Sequence, residues 1–150
     1  MKSARGLSLI EVLVVVALIA VIAGLAASVM GRALPGQQLR GAAREIAGQL
    51  RYTRAQAIAT GREQTFTLDV PDRRWRAAGE REGQLPAELE LVATTARQPQ
   101  AENRSATVRF FPDGAATGGR FVLKRGNAAW RIDVAWLTGE VTLSRGEGRP

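Results

Sequence analysis

The chain has no cysteine and no histidine, a single tyrosine, and two lysines against nineteen arginines. Without cysteine there is neither a disulfide framework nor a thiol nucleophile, so packing alone must stabilise the fold. Without histidine the commonest general base and the commonest metal ligand are both missing. A serine nucleophile would need a lysine beside it, and beyond Lys2 the chain offers only Lys124. The paired carboxylates Glu80/Glu82 and Glu88/Glu90 fall in polar stretches that read as solvated surface, and the acidic spacing matches no calcium loop. An enzyme is therefore not expected, nor a metal site, nor a cofactor.

Charge is also scarce in one long stretch. From Leu7 to Met30 the run is apolar apart from Ser8, Glu11 and Ser28. As a helix, residues 7–30 would extend about 36 Å, enough to cross a hydrocarbon core of about 30 Å. A carboxylate within such a segment is costly and calls for a partner. Lys2 and Arg5 precede the run, which orients that end to the cytoplasm and exports the remainder. A cleavable secretory signal has a shorter apolar core, and Leu25-Ala26-Ala27-Ser28 is a mediocre cleavage site. A simple signal anchor fits the length but gives no reason for Glu11.

The formal charge is +7 and becomes +5 once Lys2 and Arg5 are removed with a leader. That balance permits association with acidic protein surfaces or with nucleic acid, and identifies neither. Beyond the apolar run, Pro35-Gly36 predicts a kink or short break, after which the helical pattern resumes as far as Gly61. Leu39, Ala43, Ile46, Leu50, Thr53 and Ala57 recur at four-three spacing as one apolar stripe. Arg40, Arg44, Arg51 and Arg54 occupy a sector of about 80° beside it, taking 100° per residue. Gln38, Glu45, Gln49 and Gln56 fall on the third side. Four aligned arginines repel one another slightly, so the face fits a subunit contact as well as it fits ordinary solvation.

After Gly61 the period falls to two. Phe66, Leu68 and Val70 alternate with polar residues, and Pro71-Asp72-Arg73 turns the chain towards Trp75 and Ala77. Residues 78–86 and 94–105 read as loops, with a weaker strand at 89–93. Further strands are expected at 107–111, 121–125, 129–136 and 141–144. Trp75, Trp130 and Trp136 are expected on the core side of their strands rather than as base-stacking platforms. The cluster Asp113-Gly114-Ala115-Ala116-Thr117-Gly118-Gly119 lacks a phosphate-loop ending and precedes a strand. It reads as a wide turn, with a subunit-contact loop as the second reading. The tail from Arg145 to Pro150 is expected to fray.

Gly6-Leu7-Ser8-Leu9-Ile10-Glu11-Val12-Leu13-Val14-Val15 resembles the processing site and helix start of type IV pilins and type II secretion pseudopilins. The resemblance implies that a prepilin peptidase cleaves between Gly6 and Leu7 and methylates Leu7. It also implies that Glu11 pairs with the N-terminal amine of a neighbouring subunit on assembly. Phe is usual where Leu7 stands.

A second likeness is carried by Phe110-Phe111-Pro112-Asp113-Gly114, by Thr117-Gly118-Gly119, by Val134-Ala135-Trp136-Leu137-Thr138-Gly139-Glu140-Val141, and by Leu50 to Ile58. These are similar to the H-type minor pseudopilins, a domain shared with minor pilins of the type IV pilus. The implied fold is α+β, a long N-terminal helix packed on an antiparallel β-sheet or β-sandwich. The implied segments are a leader at 1–6, a transmembrane and filament-core helix at 7–30, its amphipathic continuation at 31–61, and a periplasmic β domain at 62–150.

The implied function is a minor pseudopilin near the tip of the type II secretion pseudopilus, helping to move folded exoproteins across the outer membrane. Its partners would be the other minor pseudopilins, the major pseudopilin, the prepilin peptidase and the inner-membrane assembly platform, with nucleic acid not expected. The alternative is a minor pilin of a type IV pilus with a role in DNA uptake.

Overall fold

A computed structural model describes residues 9–95 and 105–147; in 25–35 and at 147 it describes the backbone only. Among the described residues one helix, α1 (Leu9–Thr60), is followed by eight strands. These are β1 (Gln64–Asp69), β2 (Arg74–Ala77), β3 (Arg81–Gln84), β4 (Glu90–Thr95), β5 (Ser105–Phe110), β6 (Gly119–Arg125), β7 (Ala128–Val134) and β8 (Val141–Glu147). The chain divides into two compact units, Met1–Pro35 and Gly36–Pro150.

Helical hydrogen bonding carries through Pro35, so no break falls at Pro35-Gly36. A proline removes a single backbone donor, and its neighbours on either side retain theirs. Among the described residues no helix is long and apolar enough to cross a membrane. The expected span at 7–30 extends past them, since Leu7 and Ser8 and the side chains from Leu25 to Met30 lie outside the described residues.

Within the second unit the helix buries the stripe that its spacing predicts. Leu39, Ala43, Ile46, Leu50, Thr53 and Ala57 are all buried, and Ala42 and Ala47 widen the stripe. Thr53 is the one polar side chain among the buried described residues; its hydroxyl donates to the Gln49 carbonyl at 2.8 Å and accepts from Ala78 N–H. That pairing removes the cost of a buried hydroxyl. The helix stops at Thr60, immediately before Gly61, as the pattern predicts.

The strands form two four-stranded antiparallel sheets, β3-β2-β1-β5 and β4-β6-β7-β8. Phe66 on β1 and Phe121 on β6, both fully buried, meet edge to face at 5.9 Å and 87°, so the two sheets share one core. Such an aromatic pair adds about 0.5–1.5 kcal/mol beyond the area it buries. Helix residues, Leu68, Trp75, Val108, Phe110, Leu123, Ile132 and Val141 complete that core.

Further expectations need correction. Residues 78–86 are not all loop, because Arg81–Gln84 is β3. Its sequence carries no apolar alternation, since both faces are largely exposed and β3 is an edge strand paired only to β2. Its Gly83 permits the close approach of the Trp75 ring, where a Cβ would lie 2.5 Å from Cζ2.

Trp136 is not in the core but 68% exposed. Strand β7 ends at Val134, and Ala135 enters a tight hairpin, donating to the Glu140 carbonyl and accepting from Gly139 N–H. The two-residue period that points Ile132 and Val134 inward therefore stops before Trp136. Most of the stretch 94–105 lies outside the described residues; Thr94, Thr95 and Ser105 belong to strands. Of the tail, Arg145, Gly146 and Glu147 are in β8, and the rest lies outside.

Candidate subunit-contact site

The processing residues Gly6 and Leu7 lie outside the described residues. Glu11 is in α1, and its side chain is exposed. Around it Leu9, Ile10, Val12, Leu13, Val14 and Val15 are exposed as well. A helix apolar on every side requires a partner medium, either lipid or other helices.

The four arginines of the helix face have separate fates. Arg40 sits over the Trp130 ring, 5.7 Å from its centroid, and Arg44 is exposed. Arg51 donates from Nη2 to the Val141 carbonyl at 2.9 Å. Arg54 donates from Nε to two carbonyls, Gly114 at 3.0 Å and Thr138 at 3.1 Å. Opposite them the neutral side is also engaged. Glu45 accepts from Trp75 Nε1 at 3.1 Å, Gln49 accepts from Arg81, and Gln38 accepts from Arg125. Arg81 in turn lies 4.1 Å over the Tyr52 ring.

Arg54 joins two loops that sequence spacing treats separately. In the first, Phe111 N–H donates to Ala115 and Gly114 N–H donates to Phe111, while the Asp113 carboxylate accepts from Ala115 N–H at 3.0 Å. Thr117 is locked to β5, its hydroxyl accepting from Arg109 N–H at 3.1 Å. Gly118 packs beside Trp136, and Gly119 opens β6 between the side chains of Thr95 and Val108. The second loop is the hairpin at 135–140, tied to the first by Ala116 N–H donating to the Trp136 carbonyl. At Gly139, φ is +63°, and an added Cβ would collide with the Gly114 carbonyl and come within 2.9 Å of Arg54 Nε. Only glycine fits there.

The result is an open cleft of about 560 Å³ lined by Arg51, Arg54, Thr138, Gly139, Glu140 and Val141. Trp136 and Leu137 (66% exposed) precede Thr138 in the same hairpin, and Ile58 (47% exposed) follows Arg54 by one turn of α1. The Ile58 Cδ1 atom is 3.2 Å from where a Gly114 Cβ would be. Among the described residues the ion pairs are Arg109–Glu63, Arg120–Asp133 and Arg131–Asp133, all away from this cleft. No carboxylate among them lies within 4.0 Å of Arg51 or Arg54.

Sequence spacing thus finds both arginines and the glycine loop, and misses Trp136, Glu140 and Ile58 as their neighbours. The available signal was Gly139, which marks a turn directly after Trp136-Leu137 and so ends the strand alternation early.

The sequence profile of the Type II transport protein GspH family matches residues 42–139, and that of the prokaryotic N-terminal methylation motif matches residues 1–27. The type II secretion system protein H of Xanthomonas campestris pv. campestris is 51% identical over 140 residues, which are 93% of this chain and 83% of that protein. The fold is similar to that of the minor pseudopilin EpsH from the type 2 secretion system of Vibrio cholerae, with a TM-score of 0.58 at 16% identity over 72% of this chain and 97% of the other. It is also similar to that of the type IV minor pilin FimU of Pseudomonas aeruginosa, with a TM-score of 0.56 at 15% identity over 73% of this chain and 90% of the other.

Proposed function

The chain belongs to the Type II transport protein GspH family, and on that premise we propose that it is a minor pseudopilin of type II secretion. The observation that carries this reading is the 51% identity to a type II secretion protein H, which extends over 93% of the chain. The likeness in fold is shared between a pseudopilin and a pilin subunit and does not separate the two systems.

In this reading the leader is removed between Gly6 and Leu7, and Leu7 becomes the methylated N-terminus. Residues 7–30 cross the inner membrane with the N-terminus cytoplasmic, and the remainder stands in the periplasm. On assembly the apolar helix leaves lipid for a bundle of subunit helices, an environment as apolar as the one it leaves. The Glu11 carboxylate then gains a cationic partner there, which favours the correct stagger and disfavours entry without it. The subunit has a mechanical role near the filament tip, helping to push folded exoproteins outward, and performs no catalysis. Its partners are the other minor pseudopilins, the major pseudopilin, the prepilin peptidase and the assembly platform.

The test is co-purification of the full chain from detergent-solubilised membranes with the other pseudopilins, with duplex DNA as a parallel ligand. Capture of pseudopilins without DNA binding at physiological salt is the expected result. Salt-sensitive DNA binding with no pseudopilin captured would instead identify a DNA-uptake pilin.

A further inference from the structure

The cleft between the end of α1 and the hairpin at 135–140 combines two features that the domain's own packing leaves unused. Arg51 and Arg54 each satisfy backbone carbonyls through one nitrogen, Nη2 and Nε respectively. Their remaining guanidinium donors have no carboxylate within 4.0 Å among the described residues. On the same hairpin, one and two residues before the Thr138 that Arg54 holds, Trp136 and Leu137 expose about two-thirds of their surface, and the Trp136 carbonyl accepts from Ala116 N–H. An exposed tryptophan on a hairpin that an arginine anchors has the composition of a binding hot spot.

We infer that this cleft is the docking site for an acidic segment of another filament subunit, one that places an aspartate or glutamate against Arg51 and Arg54 and an apolar side chain against Trp136 and Leu137. The inference rests on the pseudopilin reading above for the identity of the partner.

Charge and shape both favour a single carboxylate over a polyanion. Arg51 and Arg54 present planar donors already anchored by their carbonyl bonds, an arrangement suited to a carboxylate. Glu140 forms part of the same wall and is exposed. It would repel a phosphodiester chain running past the cleft, whereas one carboxylate can lodge on the arginine side. The anchoring also lowers the entropy cost of binding, because the arginines and the hairpin are ordered before the partner arrives.

The experiment uses the full chain in detergent, titrated with the purified minor and major pseudopilins of the same cell and, separately, with duplex DNA. Trp136→Ala and Leu137→Asp alter only exposed side chains, so thermal melting should match the parent and serves as the folding control. Each should weaken capture by roughly tenfold or more. Glu140→Gln should strengthen it, and a photo-crosslinker at position 137 should attach to a partner segment containing Asp or Glu. If the parent captures pseudopilins and the folded Trp136 and Leu137 variants capture them equally well, the docking site is wrong while the pseudopilin reading stands. A crosslink to a segment without acidic residues overturns it too. DNA binding that these variants abolish overturns the choice of partner. Failure of the parent to capture any pseudopilin overturns the underlying reading as well.

Discussion

Along α1, every described side chain from 9 to 24 is exposed, whereas Leu39, Ala43, Ile46, Leu50, Thr53 and Ala57 are fully or almost fully buried. Both stretches are helical, and the first is the more hydrophobic. The difference is in arrangement. The first is apolar on all sides, so no single face of one domain can cover it. The second gathers most of its apolar residues into one stripe, which is buried in the core it shares with the two sheets. Hydrophobicity all round leaves a helix dependent on something outside its own chain; hydrophobicity on one face makes it part of its own core.

The sharpest way to break this contrast is at Glu11. Loss of a partner from a buried ion pair costs about 3–5 kcal/mol. Glu11→Ala should therefore abolish filament entry while membrane levels hold, and Glu11→Asp should retain part of it; immunoblots of sheared filaments and membranes give the ratio. Equal entry of Glu11→Ala and parent would remove the proposed pairing.

Next in size is a paired truncation. Leu50→Ala should destabilise the folded domain by about 2–5 kcal/mol, whereas Leu18→Ala should change its unfolding free energy by less than about 0.5 kcal/mol. Denaturant titration of both variants, followed by tryptophan fluorescence, measures the difference. A smaller effect is expected at Gly83, where a Cβ would meet the Trp75 ring at 2.5 Å. Gly83→Ala should cost about 1–3 kcal/mol by overpacking. The smallest effect has the opposite sign. Gly48 is an exposed helical position with nothing within 4 Å of an added Cβ. Gly48→Ala should stabilise by about 0.5–1 kcal/mol, visible as a rise in melting temperature.

Much of the fold was legible from residue spacing. The stripe from Leu39 to Ala57, the stop at Gly61 and the β1 alternation of Phe66 and Leu68 each depend on a period that local geometry imposes. Strand β3 was not legible, because an exposed edge strand such as Arg81–Gln84 buries almost nothing and leaves no hydrophobic signature. Trp136 was misread for a related reason. Its spacing continues the β7 alternation, and only the hairpin that begins at Ala135 turns it outward. The candidate site was half legible. Helical angle placed Arg51 and Arg54 on one face, but nothing local indicated that their donors would meet carbonyls 60 to 90 residues away.

By itself the sequence determined the helix with its two kinds of apolar surface and the likeness to the family the chain belongs to, because each of these resides in local pattern and composition. Only the tertiary structure decided which arginines are anchored, that the glycine loop and the 135–140 hairpin form one cleft, and that Trp136 faces outward. Those outcomes depend on strand pairing and loop contacts between distant residues. Such contacts carry no period along the chain, so they exist only once the sheets have closed over the helix.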